Sequence, residues 1–365
     1  MINLNFFPSK RLSWYLIKLF LTRSLAVLVS LSLVLMMLNL LSESAKILAV
    51  PGNGDAQVWS YVGMRLPQIV AFAFPFSLLL GALITFTALN SNSEVIAMKA
   101  AGMSAHQLLA PLILAAAILS GVSFLFNEFV VTPGTQTLSA WDGNGYKPLP
   151  RQNGIMSNVW VRDREDLVRA RLVGGTGTGT RIERLTIYDR DGLTVTRIID
   201  AAHARPVGNA WQLDQVTIYD ANMAMVRQQP TLMAMAGVEP LRFTLAKVEP
   251  GSRNFFALRG SLGELRAAGR PTAEVEAGLW HKLSQPLSTV LMPLLAATAA
   301  FGLARSGKVL LRATVGMALG FAYFVADNFS LAMGNVGAYP PLMAAWAPFF
   351  LFLLIGETVL IQSEE

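Results

Sequence analysis

Few residues in this sequence are placed where they could do chemistry. The three histidines, His106, His203 and His281, fall in different segments, and none has a metal-ligand spacing such as HExxH. There is no cysteine for a thiolate or a disulfide, and no serine sits in a G-x-S-x-G elbow. Gly302–Val309, GLARSGKV, imitates a Walker A loop. That motif needs Ser or Thr after the lysine to hold magnesium and a strand before it, whereas here Val309 follows and an apolar run precedes. No cofactor, metal or catalytic group is therefore implied. What remains is charge in apolar surroundings, which is expensive and so informative. Asp327 lies about fifteen residues inside an apolar run, and reads equally as a functional group or a structural ion-pair partner. Lys46, Arg65 and Glu128 lie near the ends of other runs. They read as interfacial anchors, or as a polar rim around a cavity for an amphiphile with anionic head groups, since Arg and Lys suit phosphate.

The elements that carry these residues follow from composition. Of 365 residues, 53% are hydrophobic and 14% charged, against about 25% charged in soluble domains. The apolar residues come in runs of roughly 20 or more, enough to span a hydrocarbon core. The net charge of +6 does not require nucleic acid, because membrane proteins collect Lys and Arg in cytoplasmic loops. The first run, Trp14–Leu41, is too long for a cleavable signal and reads as a retained helix, with Lys18 and Arg23 lying along or snorkelling to the interface. Runs two and three are Tyr61–Leu89, with Pro67 and Pro75 inside, and Leu108–Val131, ending at Glu128 and Pro133. Runs four to six are Leu279–Leu303, Ala313–Met333 and Leu342–Ile361.

Between Pro133 and about Arg270 no run is long enough to span. Short alternating stretches, Asn158–Asp163, Leu167–Val173, Arg181–Tyr188, Val195–Ala204 and Trp211–Tyr219, are separated by turn signals such as Asp191-Gly192 and Gly208-Asn209. That spacing predicts a β-sandwich or jelly roll, with irregular loops as the alternative, and Leu258–Ala268 reads as a short helix. The expected fold is thus a membrane α-helical protein with six transmembrane helices, 3+3, and an inserted β-jelly-roll domain. The expected division is 1–132 (helices 1–3), 133–272 (β domain) and 273–365 (helices 4–6).

Basic residues set the orientation. Lys10, Arg11, Lys18, Lys99, Arg305, Lys308 and Arg312 fall on one side, and the positive-inside rule makes that side cytoplasmic. The β domain is then outside. Cytoplasmic too is Asn90–Gln107, NSNSEVIAMKAAGMSAHQ, a polar break between two apolar runs. Ser91–Glu94 and Ser104–Gln107 both fit capping boxes, and Gly102 can end a first helix in the left-handed conformation. The expected product is a helical hairpin on the membrane surface. Glu94 reads either as an acid favouring its own helix dipole or as a contact for an Arg of a soluble partner.

Four stretches resemble the lipopolysaccharide-export permease family LptF/LptG. They are Pro75–Gly102 with its S-E-x-x-x-M-x-A-x-G core, Asn158–Asp163 with Trp211-Gln-Leu, Trp280-His-Lys-Leu-Ser-Gln-Pro-Leu287, and Gly320–Asn328 followed by Tyr339–Pro348. The last favours the LptG type. The resemblance implies a permease subunit paired with an LptF-type subunit on an LptB-type ATPase dimer in a Gram-negative inner membrane. Its periplasmic jelly roll would continue into LptC- and LptA-type proteins, and lipopolysaccharide would be drawn from the membrane and passed across the periplasm. It implies that the helix within 90–107 docks on the ATPase with its glutamate, Glu94, alongside Met98, Lys99 and Gly102, and that Lys46 contacts the substrate's phosphates; Arg65, Glu128 and Asp327 are further substrate-binding candidates on their charge and position. Gln68 stands where related chains can carry Lys, and no Arg occurs between Phe129 and Tyr146, where related chains carry basic residues. The alternatives are a membrane-anchored scaffold, or an envelope hydrolase with its site in the β domain.

Overall fold

The computed structural model describes residues 7–362 apart from 150–154, 164, 176, 193, 245–247, 268 and 303–308. The chain opens with α1 (Lys10–Leu48), α2 (Asp55–Ser91), the short α3 (Glu94–Ala100) and α4 (Ala105–Phe126). A π turn, Asn127–Val131, leads into α5 (Thr132–Gly143). Six strands follow: β1 (Met156–Asp163), β2 (Asp166–Gly174), β3 (Arg181–Asp191), β4 (Thr194–Val207), β5 (Ala210–Asp220) and β6 (Met225–Ala234). The chain closes with α6 (Pro240–Thr244), α7 (Phe255–Ala267), α8 (Ala273–Gly302), α9 (Val309–Asn335) and α10 (Pro341–Gln362). Among the described residues six helical stretches are long and apolar enough to cross a membrane, three before the strands and three after. The Walker-like loop and its Arg305 and Lys308 lie outside the described residues.

Two compact units emerge. One comprises residues 1–39, 66–131 and 254–365; the other comprises 40–65 and 132–253. In the first, α8 is the central helix: 78% of its most apolar window is buried, against 17% for α1. It packs on α4, α9 and α10. Its buried Ala296, Ala297, Ala299 and Ala300 let neighbouring helices approach closely, which is how helices associate where no hydrophobic force drives them together. Close approach is sharpest between α1 and α2, where a Cβ on Gly81 would fall 2.0 Å from Ser24 Oγ. Beside it, Arg23 Nη1 donates to the Ile84 carbonyl at 2.6 Å.

The third apolar run does not stop at Pro133. Proline lacks an N–H and its ring crowds the carbonyl four residues back, which strains an α-helix without necessarily ending it, as at Pro67 and Pro75 inside α2. The backbone widens into the π turn just before it, then resumes as α5 to Gly143. The same widening accompanies the burial of Glu128, which is 8% exposed.

In the second unit the strands form one antiparallel sheet in sequential order, β1 to β6. The five stretches expected from sequence are β1 to β5. The sixth strand was not anticipated: it is mostly exposed, contains Pro230, and lies at the sheet edge, where a missing N–H is tolerated. One face of the sheet is apolar. It is covered by residues 235–243: Trp211 Nε1 donates to the Val238 carbonyl at 2.7 Å, and Trp211 meets Phe243 edge-on.

A row of residues crosses this sheet and inverts its side-chain alternation. Core residues lie three apart, not two, at Met156/Val159, Ala170/Val173, Ile182/Leu185, Ala201/Ala204 and Leu213/Val216. Pairing register runs unbroken through the row. On β1, β3 and β5 the inversion falls at a left-handed residue, Asn158 (φ 54), Arg184 (φ 55) and Gln215 (φ 55), while β2 and β4 invert beside them without one. Left-handed backbone is unusual for residues other than Gly, and turns the next side chain to the opposite face.

Candidate functional site

The 90–107 segment is a helix–turn–helix, as its sequence suggests, with one difference. Ser104 caps α4 in a full capping box: its hydroxyl accepts the Gln107 N–H at 3.1 Å, and the Gln107 side chain accepts the Ser104 N–H at 3.1 Å. Gly102, at φ 84, ends α3 with Met103 N–H on the Met98 carbonyl and Gly102 N–H on that of Lys99. The first capping box does not form. Helix α3 is capped at Ser93, which is left-handed and makes no side-chain cap bond. Asn92 Nδ2 bonds Glu94 Oε1 at 3.2 Å instead, and the Tyr15 hydroxyl donates to Glu94 Oε2 at 3.0 Å. Glu94 is thus half-buried and tied to α1. Met98 packs on the helical core while Lys99 lies 5.4 Å from the Phe301 ring centroid. Ile96, 63% exposed, makes the open face with Ala97, Lys99 and Ala100. His106 Nε2 lies 3.2 Å from Glu357 Oε2.

Two carboxylates in the helical unit, Glu128 and Asp327, are held by α8. Adjacent residues, His281 and Lys282, reach different helices. His281 Nε2 is 3.0 Å from Asp327 Oδ2 on α9, and Lys282 Nζ is 3.0 Å from Glu128 Oε1 on the π turn. Glu128 Oε2 also accepts the Phe255 N–H at 2.7 Å, at the start of α7, while Asn254 caps that helix through the Ala257 N–H. Glu128 and Asp327 therefore act here as interhelical ties. Sequence reasoning noted both carboxylates and both α8 residues without joining them; the signal was the requirement that a buried charge find an opposite one.

Lys46 and Arg65 belong to a separate cluster. Lys46 Nζ contacts Glu43 Oε1 at 2.8 Å, and the Tyr146 hydroxyl donates to Glu43 Oε2 at 2.8 Å. Gly145 and Tyr146 turn left-handed at the end of α5 and place the phenol against Tyr61 and Trp141. Burial first, then the Glu43 hydrogen bond, push the Tyr146 phenol well above its ordinary value, so it stays protonated and donates. Asn53 ties the preceding turn to the same place through the Ile47 and Tyr146 carbonyls. Arg65 is half-buried within electrostatic reach of Glu43 and Tyr61. Glu43 and Tyr146, which organise the cluster, were not anticipated. The Lys46 side chain remains 62% exposed and can meet an anion.

The described residues thus present two buried charge ties, a basic aromatic cluster and an exposed capped hairpin. A family model for the lipopolysaccharide export system permease LptF/LptG matches residues 14–362. The chain belongs to this LptF/LptG family. The match runs from α1 through the sheet to α10, so it takes in all three features. The chain is 25% identical over 347 residues to the lipopolysaccharide export system permease protein LptG of Escherichia coli K12, covering 93% of this chain and 94% of that protein. It is 24% identical over 318 residues to the protein of the same name from Haemophilus influenzae, covering 83% and 86% respectively. As a family member with six spanning helices, it is a multi-pass membrane protein of the permease type, with a sheet domain set between its third and fourth spans.

Proposed function

We propose that this chain is the LptG-type permease subunit of an ATP-driven exporter in a Gram-negative inner membrane. It takes lipopolysaccharide from that membrane and passes it to a periplasmic bridge. The observation that carries this reading is the family match across residues 14–362, which leaves no part of the layout unaccounted for. ATP hydrolysis belongs to a separate ATPase dimer, which grips the 90–107 hairpin. An LptF-type subunit completes the pore, and the sheet domain hands substrate to LptC- and LptA-type proteins. Lys10, Arg11, Lys18 and Lys99 favour a cytoplasmic location for the hairpin, which puts the sheet domain in the periplasm. Lys46 and Arg65 then lie at the periplasmic ends of their helices, where they meet the phosphates of the substrate.

The test is reconstitution. Proteoliposomes holding both permease subunits and the ATPase should release labelled lipopolysaccharide to a soluble acceptor only when ATP is supplied and this chain is present. Release that is unchanged without this chain would leave a scaffold role in its place.

A further inference from the structure

The left-handed row of the sheet has a consequence on the face opposite the apolar core. Arg171 on β2 and Arg184 on β3 meet across the row, at the step between the Ala170–Leu185 and Leu172–Glu183 pairs. Like charges opposed across strands destabilise a sheet unless something neutralises them. The side chains of Arg171 and Arg184 make no hydrogen bond or ion pair among the described residues. Arg184, moreover, is the left-handed residue of its strand. The two arginines line a cavity of 330 Å³ together with Arg169, Thr186, Gln215 and Thr217. Asp200 is its one acid. Arg169 is fixed in place, with Nε on Asn158 Oδ1 at 2.9 Å and its guanidinium over the Trp160 ring. A second hollow, of 410 Å³, begins on the far side of the row; Arg171 and Arg184 line it too, with Lys147 and Glu183.

We infer that this cavity is an anion site for a phosphate ester, with the phosphate held between Arg171 and Arg184 and hydroxyl-bearing neighbours placed around it by Thr186, Gln215 and Thr217. Guanidinium forks suit a phosphate bidentately, and an anion there removes the repulsion that the row creates. The volume admits a phosphorylated sugar rather than a bare ion. The phosphate is that of a glycan head group or of a free small phosphate. Only the glycan source rests on the export reading; the anion site does not.

Calorimetric titration of the detergent-solubilised full chain tests this with three probes: a deacylated phosphorylated oligosaccharide of lipopolysaccharide, the same oligosaccharide after phosphatase treatment, and inorganic pyrophosphate. The phosphorylated oligosaccharide should bind, more weakly as salt rises, and the dephosphorylated one should lose about tenfold or more in affinity. The Arg171→Ala/Arg184→Ala double variant should lose binding to a similar extent, whereas Arg171→Lys/Arg184→Lys should keep part of it. Arg197→Ala, at an arginine already paired with Asp189, should bind as the wild type does. Pyrophosphate binding as tightly as the oligosaccharide supports the anion site and assigns it to free phosphates. Unchanged binding in the alanine double variant, or binding indifferent to phosphate, overturns the proposal; circular dichroism and intrinsic tryptophan emission confirm that each variant is folded.

Discussion

Lys282 and Glu128 lie 154 residues apart in the chain and 3.0 Å apart in space, with side chains only 11% and 8% exposed. A buried pair of this kind adds little net stability, but removing one partner strands the other charge. Lys282→Met should therefore destabilise the solubilised protein by roughly 3–5 kcal/mol. Adding Glu128→Leu should not restore wild-type stability, because Glu128 also holds the Phe255 N–H. Thermal unfolding of the two single variants and the double variant gives the coupling directly. Full recovery in the double variant would mean that the α7 contact contributes nothing.

His281 and Asp327 make the second tie, at 3.0 Å. Asp327→Asn keeps an oxygen in place and should retain expression and most stability. Asp327→Leu leaves the imidazole without its partner and should cost about 1–3 kcal/mol. If the two variants export lipopolysaccharide equally well in the reconstituted system, Asp327 is a tie and not a substrate contact.

Glu94 accepts the Tyr15 hydroxyl, so its neutral isostere separates charge from shape. Glu94→Gln should leave the hairpin folded while weakening co-purification of the proposed ATPase partner, if that partner reads the charge. Tyr15→Phe removes one exposed hydrogen bond and should change stability by about 1 kcal/mol or less. Full ATPase retention by Glu94→Gln would reduce Glu94 to an anchor for α1.

The Tyr146 phenol is held above its ordinary value of 10.0. The unfolded chain releases that proton near pH 10, while the folded chain still binds it. The Tyr146–Glu43 contact should therefore contribute fully below that pH and be lost as pH rises through the folded-state value. Difference absorbance at 295 nm between wild type and Tyr146→Phe should show one phenol that does not ionise as the pH passes that ordinary value.

Close helix approach gives a steric test. Gly81→Val should force α2 away from Ser24 and cost about 1–3 kcal/mol, whereas Gly63→Ala, with open space around it, should not. Equal melting temperatures for the two would contradict the packing described for α1 and α2.

The six spans were legible because length and hydropathy alone decide them, and five strands because alternation and turn residues agree. Helix ends were read a few residues short, since polar first and last turns carry no hydropathy signal. The failure at Ser91–Glu94 has a local cause: two serines compete for the cap, and the Asn92 and Tyr15 side chains take the Glu94 carboxylate. Strand β6 was hidden by Pro230 and by having little to bury. The ties of Glu128 and Asp327 were hidden because their partners lie far away in sequence. The row across the sheet did leave a trace in the chain, apolar residues three apart in five successive strands, but a template of strict alternation passes over it.

That row also bears on how the domain tolerates change. Each strand switches faces at the same level as its neighbours, so the five switches work as one. Deleting a single residue near Asn158, Arg184 or Gln215 would turn one end of that strand inside out while its neighbours stayed as they were. Insertions and deletions in the described parts of this domain should therefore be confined to its hairpin loops during evolution, and a library of single-residue deletions should show tolerated positions there and a band of loss running across the middle of the strands.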